Sequence, residues 1–139
     1  MSSGIQSAAV GVSLARAAEA MIRVVGGGEV TILFPRATAP DDPGTQLGLV
    51  APTVDQVTLF PAAVRSLTAE SSTGRVRVEF LLPASAVADQ VESQQANSAK
   101  AFFDAALGIS HEGRLLRIVK AEADYFGGQA YLWRVTAEE

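Results

Sequence analysis

The chain has 139 residues, 48% of them hydrophobic and 19% charged, a balance that suits one compact domain with a core needing no disulfide or metal. The absence of cysteine excludes a disulfide scaffold, thiolate catalysis and any thiolate-held metal centre. A net charge of -4, with its 11 Lys and Arg scattered, argues against a protein that grips nucleic acid by neutralising phosphates. The closest basic clusters, Arg75/Arg77 and Arg114/Arg117, each sit beside acids. The low charged fraction also predicts a partly apolar surface, of the kind that becomes a subunit contact. No apolar run approaches the ~20 residues of a membrane span. The N-terminus lacks a basic region, and Arg16 and Glu19 interrupt the first apolar stretch, so no signal peptide is expected.

From Ser7 to Val25 apolar residues recur at helical spacing: Val10, Leu14, Ala17, Ala18, Met21, Ile22 and Val25 fall on one side. Gly26-Gly27-Gly28 ends this helix, because glycine tolerates the left-handed cap. The stripe must cover the protein's own barrel or pack on a neighbouring subunit. Glu29 to Pro35 is β-branched and reads as a strand. The stretch 36–53, with Pro40, Asp41, Asp42, Pro43, Gly44, Gly48 and Pro52, reads as a long loop. Leu47, Leu49 and Val50 at its centre suggest docking on another surface. Val54 to Phe60, closed by Pro61, is expected to be a second strand, and Ala63 to Glu70 a weaker one, with a turn at 71–74.

Arg75 to Leu82 alternates most clearly, with Val76, Val78, Phe80 and Leu82 on one face. Pro83 ends it, and Ser85 to Glu92 fits a short helix followed by a linker to Asn97. Ser98 to Leu107 reads as a helix N-capped by Asn97 or Ser98 and closed by Gly108, its greasy face made by Phe102, Phe103, Ala106 and Leu107. Arg114–Ala123 and Gln129–Thr136, joined through Tyr125-Phe126-Gly127-Gly128, form a closing hairpin. The expected fold is mainly β with flanking helices (α+β), as a single domain. It is a small antiparallel β-barrel or sandwich with an N-terminal helix (1–27), a long loop (36–53), a helical excursion (84–108) and a C-terminal hairpin (114–136).

Little in the chain assembles into chemistry. The single histidine, His111, lies in the turn Ser110-His111-Glu112-Gly113 and reads as an exposed turn residue, since a general base needs an orienting carboxylate and a nucleophile. Asp41-Asp42-Pro43-Gly44 lacks the alternating oxygen ligands of a calcium loop and reads as a turn. The triple glycine follows a helix and precedes a strand, the reverse of a phosphate loop. Asp89, Glu92 and Asp104 leave carboxylate-only hydrolysis formally open, with nothing to select them. Tyr125, Phe126, Tyr131 and Trp133 near the hairpin, with Arg114, Arg117, Lys120 and Arg134, leave open an OB-like single-strand binder, though the acidic balance argues against a positive groove. No catalytic residue, metal or cofactor is assigned.

The stretch Glu112-Gly113-Arg114-Leu115-Leu116-Arg117-Ile118-Val119-Lys120, followed by Asp124-Tyr125-Phe126-Gly127-Gly128-Gln129-Ala130-Tyr131-Leu132-Trp133-Arg134-Val135, is similar to the closing hairpin of tailed-phage head-closure and head–tail connector proteins. Phe80-Leu81-Leu82-Pro83-Ala84-Ser85 resembles the segment that precedes it there, and the first helix with Glu29-Val30-Thr31-Ile32-Leu33 resembles the opening. The helix 98–107 and the loop around Asp41 depart from the pattern. The resemblance implies a structural, non-enzymatic virion protein of the phage neck, assembled in the host cytoplasm. It would form a homo-oligomeric ring between the portal or its adaptor and the tail, with DNA passing through without specific binding. A tail terminator or another connector is the nearest alternative. The expected intersubunit or partner contacts are Leu47, Leu49, Val50, Phe102, Phe103, Tyr125 and Phe126.

Overall fold

A computed structural model describes residues 3–25, 27–35, 54–67 and 75–139, with side chains of the first helix described from Leu14 onward. In chain order these form α1 (Ser3–Val24), β1 (Gly28–Pro35), β2 (Val54–Ser66), β3 (Arg77–Pro83), α2 (Ala84–Ser93), α3 (Ala99–Asp104), β4 (Gly108–His111), β5 (Arg114–Phe126) and β6 (Gln129–Glu138). The expected loop 36–53 and the turn 71–74 lie outside the described residues.

The protein is mainly antiparallel β with flanking helices. Its strands follow the order β1-β2-β3-β6-β5-β4, and β4 returns to pair with β1, closing the circuit. Two sheets share this circuit. One holds β4, β1 and the first part of β2, and the other holds β3, β6 and most of β5. The long strands join them. β2 pairs with β1 up to Ala62 and with β3 from Ala63. β5 pairs with β4 up to Leu116 and with β6 from Arg117.

The expected pair of strands around Pro61 is therefore one strand of 13 residues. Two residues of β2, Phe60 and Pro61, stand opposite the single Glu29 of β1, which makes a bulge. Proline has no N–H to give a ladder, and a bulge is where a strand can hold one without losing a bond. A second bulge at Val119 of β5 moves the inward face from Leu116 and Ile118 to Ala121 and Ala123. The sheet can thus turn without putting charge inside.

The alternation read at Val78, Phe80 and Leu82 is real: all three are buried. They join Val30, Ile32, Val57, Leu59, Ile109, Leu116, Val135 and Ala137 in one core. No charged or polar residue is buried among the described residues.

The helical excursion is shorter than its pattern. Ser98 caps α3 by accepting a hydrogen bond from the Ala101 N–H at 3.0 Å, but the helix stops at Asp104. Leu107 then donates to the Leu33 carbonyl at 2.7 Å, and Gly108 opens β4, a strand that the sequence reading missed. Backbone pairing with β1 wins over the local helical preference of a four-residue segment. Glycine is needed there: a Cβ on Gly108 would lie 2.5 Å from the Leu116 carbonyl oxygen. The closing hairpin runs longer than expected, to Phe126 and Glu138, around a two-residue Gly127-Gly128 turn with both φ positive.

At the end of α1 the Gly27 N–H donates to the Ile22 carbonyl at 2.8 Å, which closes the last turn as the glycine run suggested. The stripe above it behaves differently. Among its described side chains only Ile22 is buried; Leu14 and Ala18 are half-buried, and Ala17, Met21 and Val25 are exposed. Val10 lies outside the described side chains.

Candidate interaction surface

Three regions could carry function, and each is built by different elements. The first is the interior reached by α3. Phe102 and Phe103, expected as contacts with other subunits, are each only 2% exposed. Ring contacts run from Phe34 on β1 to Phe102 (5.0 Å), to Phe103 (5.3 Å) and to Trp133 on β6 (5.2 Å). This row corrects the expectation: α3 turns Phe102 and Phe103 into the protein's own barrel, so neither ring is left for another subunit. Leu107, just after it, remains exposed.

The second region surrounds His111. It is the last residue of β4, pairs with Arg114 across the Glu112-Gly113 turn, and is half-buried with its ring edge against Phe80 at 5.6 Å. The expected exposed turn residue is thus a strand residue anchored on the core. Its Nε2 lies 3.9 Å from the Glu112 carboxylate, beyond hydrogen-bond distance. Ser66, Arg114 and Glu112 line the same small depression.

The two basic clusters seen in the sequence meet close by. Arg77 and Arg117 both reach Glu138, at 3.5 and 3.3 Å, and Arg114 reaches Glu139 at 3.2 Å. Glu139 also accepts from the Val76 N–H at 3.0 Å. Farther along the sheet, Arg134 pairs with Asp124 at 3.0 Å and Lys120 with Glu122 at 3.2 Å. Each of these cations has a carboxylate within ion-pair distance, although Arg77 Nε and Arg134 Nε find no hydrogen-bond acceptor; among the described residues this face therefore offers phosphates few unpaired cations. Among the described residues no group of three His, Asp or Glu could hold a metal ion, and Asp41 and Asp42 lie outside them.

The third region is a groove of about 540 Å³ between α1, α2 and the closing hairpin. Ala15, Ala88 and Ala130 form much of its lining, Trp133 contributes its ring, and Tyr125 and Arg16 stand at its sides. Small side chains on both helices keep it open. Glu19 fixes the α1 wall to α2 by accepting from the Ser85 hydroxyl at 3.1 Å and from Arg23 at 2.9 Å. These two hydrogen bonds, Arg23 first, hold the Glu19 carboxyl below its ordinary value. They also give α2 the negative charge its N-terminus favours, since its N-cap, Pro83, supplies no side-chain acceptor.

Of the expected contact residues, Tyr125 and Phe126 are exposed at the hairpin tip, Tyr125 by 64%. Leu47, Leu49 and Val50 lie outside the described residues. The α1 stripe, for which the sequence left open the barrel or a neighbouring subunit, leaves Met21 and Val25 exposed together with Val24 and the nearby Phe60, two residues that the stripe did not include. The Arg23 guanidinium lies over the Phe60 ring at 4.9 Å. The available signal for Val24 was the excess of apolar residues around α1 beyond one stripe. No helix of the described residues is long and apolar enough to cross a membrane. No protein-family model matches the chain, and neither a curated protein nor a solved structure is significantly similar to it.

Proposed function

We propose that this chain is a structural subunit of a tailed-phage neck, of the head-closure kind, that assembles into a ring around the DNA channel. The observation that carries the reading is the closing hairpin: the segment that resembles the connector family forms β5 and β6, and its tip presents exposed Tyr125 and Phe126. A small barrel with a helix against it and an aromatic-tipped hairpin offers several distinct surfaces, which ring assembly and stacking require. The acidic balance and the internally paired cations of the β3–β6–β5 face suit a conduit that DNA must slide through, because phosphates find little to hold them. The same pairing weighs against the OB-like alternative, which needs free cations beside its aromatics.

Electron microscopy of particles carrying a tagged copy tests the reading. The expected result is density for this barrel as a ring between portal and tail. Its absence from purified particles, or its location elsewhere in the virion, overturns the assignment; a position at the tail end of the neck gives the terminator reading instead.

A further inference from the structure

α1 carries more apolar surface than the barrel uses. Met21, Val24 and Val25 are 67%, 85% and 71% exposed, and Phe60 on the β2 bulge stands exposed near them. Such a patch on a small domain marks a contact. It is convex, a helix end with branched side chains. About 12 Å back along the same helix, the surface turns concave at the alanine-lined groove over Trp133.

We propose that the C-terminal end of α1 in one copy seats in the groove between α1, α2 and the closing hairpin of a second copy. The inference deepens the ring reading and rests on it for the expectation of self-assembly; the contact itself is argued from the two surfaces. Both are apolar, and alanines at the walls leave room for Val24, Val25 and Met21 to enter. Their charges are complementary. Arg16, exposed at the groove, has no ion pair among the described residues, and neither has Glu29, exposed opposite the Phe60–Pro61 bulge beside the apolar end. Seating the end in the groove brings the Glu29 carboxylate of one copy toward the Arg16 guanidinium of the next. The two patches differ, so the contact is head-to-tail and repeats from copy to copy, which yields a ring where the rotation closes.

Sedimentation of the full chain over a range of concentrations tests this, with circular dichroism to check folding. Wild type should self-associate. Arg16→Glu and Glu29→Arg should each weaken association on the order of ten-fold, and combining them should recover most of the loss. Val24→Asp disables the convex patch and Ala88→Trp fills the groove. Each variant alone should be monomeric, while a mixture of the two should form a dimer that grows no further. A wild type monomeric throughout, or an oligomer indifferent to these changes, overturns the proposal. So does a dimer lost with Val24→Asp but kept with Ala88→Trp, which means two-fold pairing of the helix ends. A protein that obeys the swap but is missing from particles sinks the neck reading alone. One found in the neck whose association ignores the swap sinks this contact alone.

Discussion

The barrel interior and the outer side of α1 draw on the same kinds of apolar side chain and use them in opposite ways. In the interior, Phe80, Phe102, Phe103, Ile109 and Leu116 are closed off from water and meet one another from four different elements. On α1, Val24 and Val25 sit in water one turn from the buried Ile22. Burial of a side chain in the first region stabilises the fold by roughly 1.5–3 kcal/mol. In the second region the same residues contribute almost nothing until another surface covers them. Residue type therefore does not reveal what an apolar side chain is for; the elements facing it do.

Three substitutions sharpen that contrast. Phe103→Ala removes the central ring of the row from Phe34 to Trp133 and should cost about 3–5 kcal/mol in denaturant unfolding. A loss below about 1 kcal/mol shows that α3 is not a plug. Glu19→Gln tests the seam between the two regions, where α1 is tied to α2, and should cost about 0.5 kcal/mol, the scale of a partly exposed charge at a helix end. Because Glu19 is held below its ordinary value of 4.5, the unfolded chain takes up the proton more readily. The stabilisation is complete above the ordinary carboxylate range and fades as pH falls through and below it. Thermal melts of wild type and variant should differ at neutral pH and converge in acid; a gap that persists in acid means the charge is not responsible. Val24→Ser, on the outer side, should move monomer stability by no more than about 0.5 kcal/mol. A larger loss in dilute protein places Val24 in the core after all.

Much of the barrel was legible because period-two alternation is strong where one face is buried: Val78, Phe80 and Leu82 announced β3, and Gly127-Gly128 announced the hairpin. The misreadings have local causes. Pro61 reads as a stop unless one knows that β1 offers a single residue opposite two, so β2 was cut in half. Gly108 reads as a helix cap because its other role, opening β4 against Leu33 of β1 and close to the Leu116 carbonyl of the paired β5, depends on strand pairings that the local pattern does not carry. Phe102 and Phe103 read as subunit contacts because the greasy face of a helix over 98–107 does not say which surface covers it until the cavity it fills exists. Of the exposed apolar surface, the hairpin tip is readable from its aromatics. The α1 end is not, since its helical spacing says only that a stripe exists and leaves open how much of it the barrel needs.

The long strands that cross between the two sheets have a consequence for how the protein comes apart. β2 and β5 each lend hydrogen bonds to both layers, so neither layer can peel away and leave the other whole. Opening one means dragging two shared ribbons out of its neighbour. Amide protons in β1 and in β6, on different layers, should therefore exchange through a single opening event, with similar protection in a native-state exchange experiment.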